Sequence, residues 1–118
     1  MRASRERGDL YAPECPSRAV LDHVTSRWGV LVLVSLLGGP HRFSELRRLI
    51  VGVSDKMLSQ TLKVLQHDGF IARDAFLEMP LRVEYRLTSS GVQVAERLAV
   101  LTEWIEDSIG AIEGARPK

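Results

Sequence analysis

Lys56 stands three and four residues before Ser59 and Gln60, and Lys63 four and three after them, in a chain of 118 residues, so a helix carrying them shows them on one side. Lysine reaches guanine edges or phosphate, glutamine bonds adenine bidentately, and serine serves either. Leu58, Leu62 and Leu65, with Thr61 nearby, fall on the other side. The spacing predicts a helix over 55–67 with an apolar back and a polar, partly basic front that ends in His67. Base contacts are expected mainly from its N-terminal part, Ser54 to Gln60. An ordinary solvated helix face has the same pattern, so the segment alone leaves both readings open.

Cys15 is the other group with chemistry of its own. It precedes Pro16 at the N-terminal edge of an expected helix, with Arg18 close in sequence. A helix N-terminus and a nearby cation both lower a thiol pKa and raise its reactivity. The competing reading is a buried cysteine acting as a small apolar residue. As the only cysteine it cannot form an internal disulfide, which fits a reducing cytoplasm or a thiol used singly. Its oxidation would need a second subunit, a small thiol or an alkylating electrophile.

Other chemistry finds no support. His23, His41 and His67 are scattered without metal-ligand spacing, and one cysteine builds no zinc site. Asp22 and His23 are adjacent on an ordinary helix. Gly38-Gly39 is followed by Pro40 and not by lysine, so no phosphate loop forms. The chain therefore reads as a non-enzyme that needs no metal and no cofactor. Its 16 basic and 15 acidic residues give a net charge of +1, which neither supports nor excludes nucleic acid. What matters is where the cations sit. The longest apolar run, 29–37, is too short to span a membrane, and the polar N-terminus has no apolar core of a secretory signal. A cytoplasmic protein is expected.

The elements that position these residues follow from caps and breakers. Pro16 suits a first helical turn, opening a helix over 16–25. A second, mostly buried helix covers 27–37 and stops at Gly38-Gly39-Pro40. Ser44 reads as the N-cap of a short helix over 45–50, and Gly52 as the turn after it. Ser54 caps the helix over 55–67, and Gly69 ends it. Two strands follow, 70–76 and 82–87, the second alternating Val83, Tyr85 and Leu87 with Arg82, Glu84 and Arg86. Thr88 caps a last helix running to about Ile112. The order is helix, turn, helix, hairpin. The fold class is α+β, mainly α: a winged helix-turn-helix with a two-stranded wing and dimerisation helices at both ends. One domain is expected over 15–113, with flexible tails at 1–14 and 114–118.

In this arrangement Arg47 and Arg48 lie on the first helix of the motif and Arg42 just before it; that helix crosses the DNA backbone, so phosphate contact is their expected role. Surface solubility is the alternative for each. Arg82, beside the wing tip, is the expected minor-groove or phosphate contact. Glu84 is expected to pair with Arg86, and Glu78 opposes phosphate approach. The candidate DNA-binding set is therefore Arg42, Arg47, Arg48, Ser54, Lys56, Ser59, Gln60, Lys63 and Arg82. One such head contacts few phosphates. Leu98, Leu101, Trp104, Ile105 and Ile109 make the last helix more apolar than a small core needs, and Val20, Leu21 and Val24 join them in an expected homodimer interface. Twofold symmetry then predicts an inverted-repeat operator.

The chain resembles the HxlR family of bacterial winged-helix transcription regulators, distant relatives of the MarR type. The matching pieces are Cys15-Pro16, Arg27-Trp28 before an apolar helix, Leu37-Gly38-Gly39-Pro40, and Arg42-Phe43-Ser44-Glu45-Leu46-Arg47. Val53-Ser54, Met57-Leu58-Ser59, Leu62-Lys63 with Leu65, Asp68-Gly69-Phe70-Ile71, Pro80-Leu81-Arg82-Val83-Glu84-Tyr85, Leu87-Thr88 and Ser90-Gly91 continue in family order. The resemblance implies a homodimeric, operator-binding regulator, by analogy a repressor. Members with a cysteine at this place include sensors of oxidants and electrophiles, which makes Cys15 a redox-sensing candidate. A small-molecule effector in the dimer crevice, near Trp28 or Trp104, is the alternative signal. A winged-helix protein-interaction module is the reading from another class.

Overall fold

Pro16 has no amide hydrogen to leave unpaired, and it opens the first helix, α1 (Pro16–Thr25), of the computed structural model, which describes residues 7–117. Ser26 ends α1 and starts α2 (Arg27–Ser35), its hydroxyl accepting from the Gly29 amide at 3.1 Å. A single 3₁₀ turn, Leu36–Gly38, closes α2 short of the expected 37. Then come α3 (Phe43–Leu49), α4 (Asp55–His67), the strands β1 (Ile71–Phe76) and β2 (Arg82–Leu87), and α5 (Ser89–Gly114).

The start of α3 differs from the sequence reading. Arg42, not Ser44, is the N-cap residue. An arginine side chain cannot accept a hydrogen bond, so the cap works in one direction only. Glu45 reaches back and accepts the Arg42 amide at 2.7 Å. The α4 cap is as expected: Ser54 Oγ accepts from the Met57 amide at 3.1 Å. Gly52 and Gly69, with φ of 96° and 83°, supply the left-handed turns before and after α4.

The strands pair antiparallel, Ile71 opposite Leu87 and Phe76 opposite Arg82. His41, which the sequence placed only as an isolated histidine, adds a bridge. It exchanges two backbone hydrogen bonds with Tyr85, at 3.0 and 2.8 Å. This ties the loop entering the helix-turn-helix to the wing.

The core centres on α2. Val32 and Leu33 are fully buried and meet Leu46 from α3, Leu58, Leu62 and Leu65 from α4, and Ala95 and Leu98 from α5. The sequence reading gave Leu98 to a subunit interface. At 8% exposure it is instead used in the protomer's own core, and Val24 packs against that core too. Beyond Leu98 no residue of α5 is buried. The remaining 16 residues carry the helix roughly 24 Å further at 1.5 Å per residue. The radius of gyration, 16.7 Å, exceeds the about 13.5 Å expected of a compact chain this long. The difference fits an arm that leaves the body. Residues 9–15 form consecutive turns, with Ala12 and Cys15 amides bonding Asp9 and Ala12 carbonyls. Of the tails set at 1–14 and 114–118, residues 1–6 and 118 lie outside the described residues.

Candidate nucleic-acid interface

The inner face of α4 is closed off by Leu58, Leu62 and Leu65, each at most 1% exposed. That fixes what the opposite face must be. Lys56, Gln60, Lys63 and His67 are exposed there, and Ser59 is half-buried. Ser54 has committed a lone pair to the cap and keeps its O–H proton for an external acceptor. Lys56 and Lys63 have no carboxylate partner among the described residues, and Gln60 makes no side-chain hydrogen bond there. The head thus presents unspent donors.

Charge is concentrated on this segment. Residues 42–67 hold five basic residues against two acidic ones, a net +3 within a chain of net +1. Not all of it is free. Arg47 Nε bonds Asp55 Oδ1 at 2.5 Å, pinning α3 to the first turn of α4. Both groups are exposed, so the pair is worth little as stability. Its effect is to orient Arg47 along the helix pair. Arg42 and Arg48 are exposed and unpaired among the described residues, which leaves them for phosphate.

The wing departs from expectation. Glu84 pairs with Arg82, Nε to Oε2 at 3.3 Å, rather than with Arg86. Glu78 takes Arg82 Nη1 at 3.2 Å from the other side. The Arg82 guanidinium also lies 4.5 Å from the centroid of Phe76, the residue opposite it in the ladder. Its Nε–H is buried and poorly aimed at Glu84, so ion-pair distance is met without a hydrogen bond. Arg86 instead reaches across the ladder to Asp74 at 2.8 Å. The cause is register: Asp74 faces Glu84, which puts it on the diagonal from Arg86. Residues 71–87 carry three acidic and three basic residues, so the wing brings no net positive charge. Leu77 and Met79 at its tip are 94% and 97% exposed, and the tip turns through a cis Met79–Pro80 bond.

Cys15 is the N-cap residue of α1 and is half-buried. The Asp9 amide donates to its Sγ at 3.3 Å, and the Ser17 hydroxyl at 3.1 Å. These donors, the Asp9 amide first, hold the thiol below its ordinary pKa because they stabilise thiolate. Arg18, expected to do this, is turned away: its Nε donates to the Leu10 carbonyl at 3.0 Å. The activating residue missed in the sequence is Ser17, and Cys15-x-Ser17 at a helix start was the available signal.

Of the expected interface residues, Leu21, Leu101, Trp104, Ile105 and Ile109 stay exposed, at 41–59%, and Val20 is half-buried. They are available in a way that Leu98 and Val24 are not. The sequence reading also missed a tie between α1 and α4. His23 Nδ1 meets Asp68 Oδ2 at 2.5 Å, with Asp68 only 8% exposed at the end of α4. Among the described residues no single helix is long and apolar enough to cross a membrane, and no group of three metal-ligating side chains occurs.

Comparison with known proteins places this geometry. The family model described as HxlR-like helix-turn-helix matches residues 23–113. The uncharacterized HTH-type transcriptional regulator YtfH of Escherichia coli is 55% identical over 109 residues, covering 92% of this chain and 86% of that protein. The structure of YtfH from Salmonella typhimurium superposes with a TM-score of 0.89 at 51% identity, over 95% of this chain and all of that one. The redox regulator HypR in its oxidized form matches with a TM-score of 0.73 at 30% identity, over 79% of this chain and 96% of that one.

Proposed function

The chain belongs to the HxlR-like helix-turn-helix family and is a transcriptional regulator, and from that premise we propose that it represses transcription in the cytoplasm as a homodimer seated on an inverted-repeat operator. The family is one of DNA-binding regulators and not of enzymes. The observation that carries the proposal is the front of α4. Lys56, Gln60 and Lys63 stand exposed on it while Leu58, Leu62 and Leu65 close its back. An apolar front would have favoured a protein partner. Ser54, Ser59 and Gln60 are assigned to bases, and Arg42, Arg47 and Arg48 to phosphates. Arg82 is assigned to positioning the wing, since two carboxylates already hold it. The test is fluorescence anisotropy of the protein with a duplex of its own upstream region at two salt concentrations. Specific, salt-weakened binding is expected; binding equal to that of a scrambled duplex would refute it.

The free face of α5 supports the dimer. Leu101, Trp104, Ile105 and Ile109 are 41–59% exposed on one long helix, an apolar stripe that water would otherwise cover. Two copies crossing there would set the two α4 fronts at a fixed separation. We expect Ile105→Glu to move the sedimentation mass from twice the 13.2 kDa of one chain to a single chain, and to weaken operator binding with it.

A second reading concerns the signal. Cys15 is proposed as a redox sensor, supported by the hydrogen bonds that stabilise its thiolate and by the likeness to HypR. Diamide would take two electrons and two protons from a pair of thiols, joining Cys15 either to its counterpart in the second protomer or to a small thiol. With one cysteine in the chain the outcome is clean. Diamide should lower operator affinity of the parent protein and leave Cys15→Ser unaffected. Equal loss in both proteins would exclude the sensor.

A further inference from the structure

A pocket of ≈ 160 Å³ opens between α1, α2 and α4. Trp28 from α2 and Met57, Val64 and Leu65 from α4 form its apolar walls. An enclosed apolar cavity of about 150 Å³ takes a benzene-sized guest, and this pocket has the same room behind an open polar mouth. The size therefore selects one ring. The pocket lies inside the protomer, beside Trp28 and away from Trp104, and Val20, Leu21 and Val24 do not line it.

The polar groups of the rim select the ring's substituent. Asp22, exposed at the mouth, offers a carboxylate that only accepts. Ser26 has committed its proton to the His23 carbonyl at 2.9 Å and one lone pair to the Gly29 amide. Thr61 has committed its proton to the Met57 carbonyl at 2.7 Å. What both hydroxyls have left is lone pairs. No lysine or arginine lines the site, although the Arg27 guanidinium lies 5.5 Å from the Trp28 ring centroid. Asp22 is the one carboxylate in the lining, and Asp68, just outside it, is taken up by His23. Apart from the Gln60 amide, which can accept as well as donate, the rim offers lone pairs and one carboxylate, and that favours a cationic donor.

The pocket also touches α4 at three places. Trp28 lies against the turn between α3 and α4, its ring 3.8 Å from where a Cβ on Gly52 would stand. Gln60 belongs both to the lining and to the outward front. His23, at the rim, holds Asp68 at the end of α4.

We propose that this pocket is an effector site for a single-ring aromatic amine or amidine, and that filling it shifts α4 and weakens operator binding. The site deepens the regulator reading, and its second half rests on α4 being the DNA-reading helix. The probe is benzamidinium, with benzoate as its planar counterpart of opposite charge. The protein carries 6-fluorotryptophan, so Trp28 and Trp104 report separately by ¹⁹F resonance.

Benzamidinium should shift the Trp28 resonance saturably and leave Trp104 still. Benzoate should bind at least about tenfold more weakly, the value of one charge-assisted hydrogen bond. Asp22→Asn, an exposed change, should remove most of that preference. Saturating benzamidinium should lower operator affinity about fivefold or more, with benzoate at equal ionic strength as the control. Absent or equal shifts at the two tryptophans, or benzoate binding as well as benzamidinium, overturn the site. Unaltered operator affinity with the pocket filled overturns the coupling. Should no duplex bind with or without the probe, the DNA-binding reading fails, and the Trp28 shift still upholds the site.

Discussion

The double variant Lys56→Ala/Lys63→Ala loses operator affinity by a factor on the order of 10³ at 0.15 M salt while keeping its fold. Both side chains are exposed and bond nothing among the described residues, so their removal leaves the core untouched. A dimer loses four cations. Each neutralised phosphate contributes about 0.9 to the slope of log affinity against log salt, so the slope should fall by about 3.6. The same relation makes one contact worth about 5.5-fold at 0.15 M relative to 1 M, and four such contacts yield the stated factor. Gln60→Ala is the contrasting case. It should narrow the gap between operator and scrambled duplex and leave the slope unchanged, because a base contact releases no counterion. Anisotropy titrations over a salt series separate the two. An unchanged slope in the double lysine variant would mean that α4 faces something other than DNA.

Gly91→Ala costs about 3 kcal/mol of stability, at the upper end of what overpacking does to a core, and roughly 10 °C in Tm. Gly91 lies in the first turn of α5, where the helix starts against the carbonyl of Phe70. A Cβ there would stand 1.9 Å from Phe70 O and 2.9 Å from Phe70 C. The obstacle is backbone, which no side-chain rotation relieves. Phe70 O also accepts the Thr88 amide at 3.0 Å, the bond that fixes the start of α5 to the link between α4 and β1. Moving the carbonyl away weakens that bond, so the loss should exceed a simple clash. Thermal melts followed by circular dichroism measure it. A Tm within about 2 °C of the parent would show that the junction slides apart cheaply.

The elements legible in the sequence are those whose ends are set by a residue or two. Pro16, Ser54, Gly69 and Thr88 each mark a helix boundary by local chemistry, and the bounds of α1, α4 and β2 match the expectation. The start of α3 was misread because Ser44 is a preferred cap residue and Arg42 is not, while the start is set by Glu45 folding back onto the Arg42 amide. The wing pairs were misread for a different reason. Alternation tells which residues share a face, but register decides which carboxylate meets which arginine, and register is a property of two strands. The Leu98 misassignment has a third cause. A three-and-four spacing runs through α5 without interruption, and nothing in it marks where the protomer's own core stops. The front of α4 was legible because its back is leucine at regular spacing. The pocket at Trp28 was not, since it depends on three helices brought together in space, whereas Ser17 beside Cys15 was a local signal that went unread.

The self-paired wing bears on how the protein finds its target. A genome offers a vast excess of unrelated sites, and affinity for these is set almost wholly by net cation count. With Arg82 and Arg86 held by Glu78, Glu84 and Asp74, Arg73 is the one wing arginine without a carboxylate partner among the described residues, so on the proposed reading each protomer would meet random duplex mainly through α3 and α4. On that reading residence on any wrong site would be correspondingly brief, and less of the population would be trapped far from its promoter. A wing of free arginines would tighten every encounter alike. Neutralising it widens the ratio between cognate and random sequence without adding a single base contact.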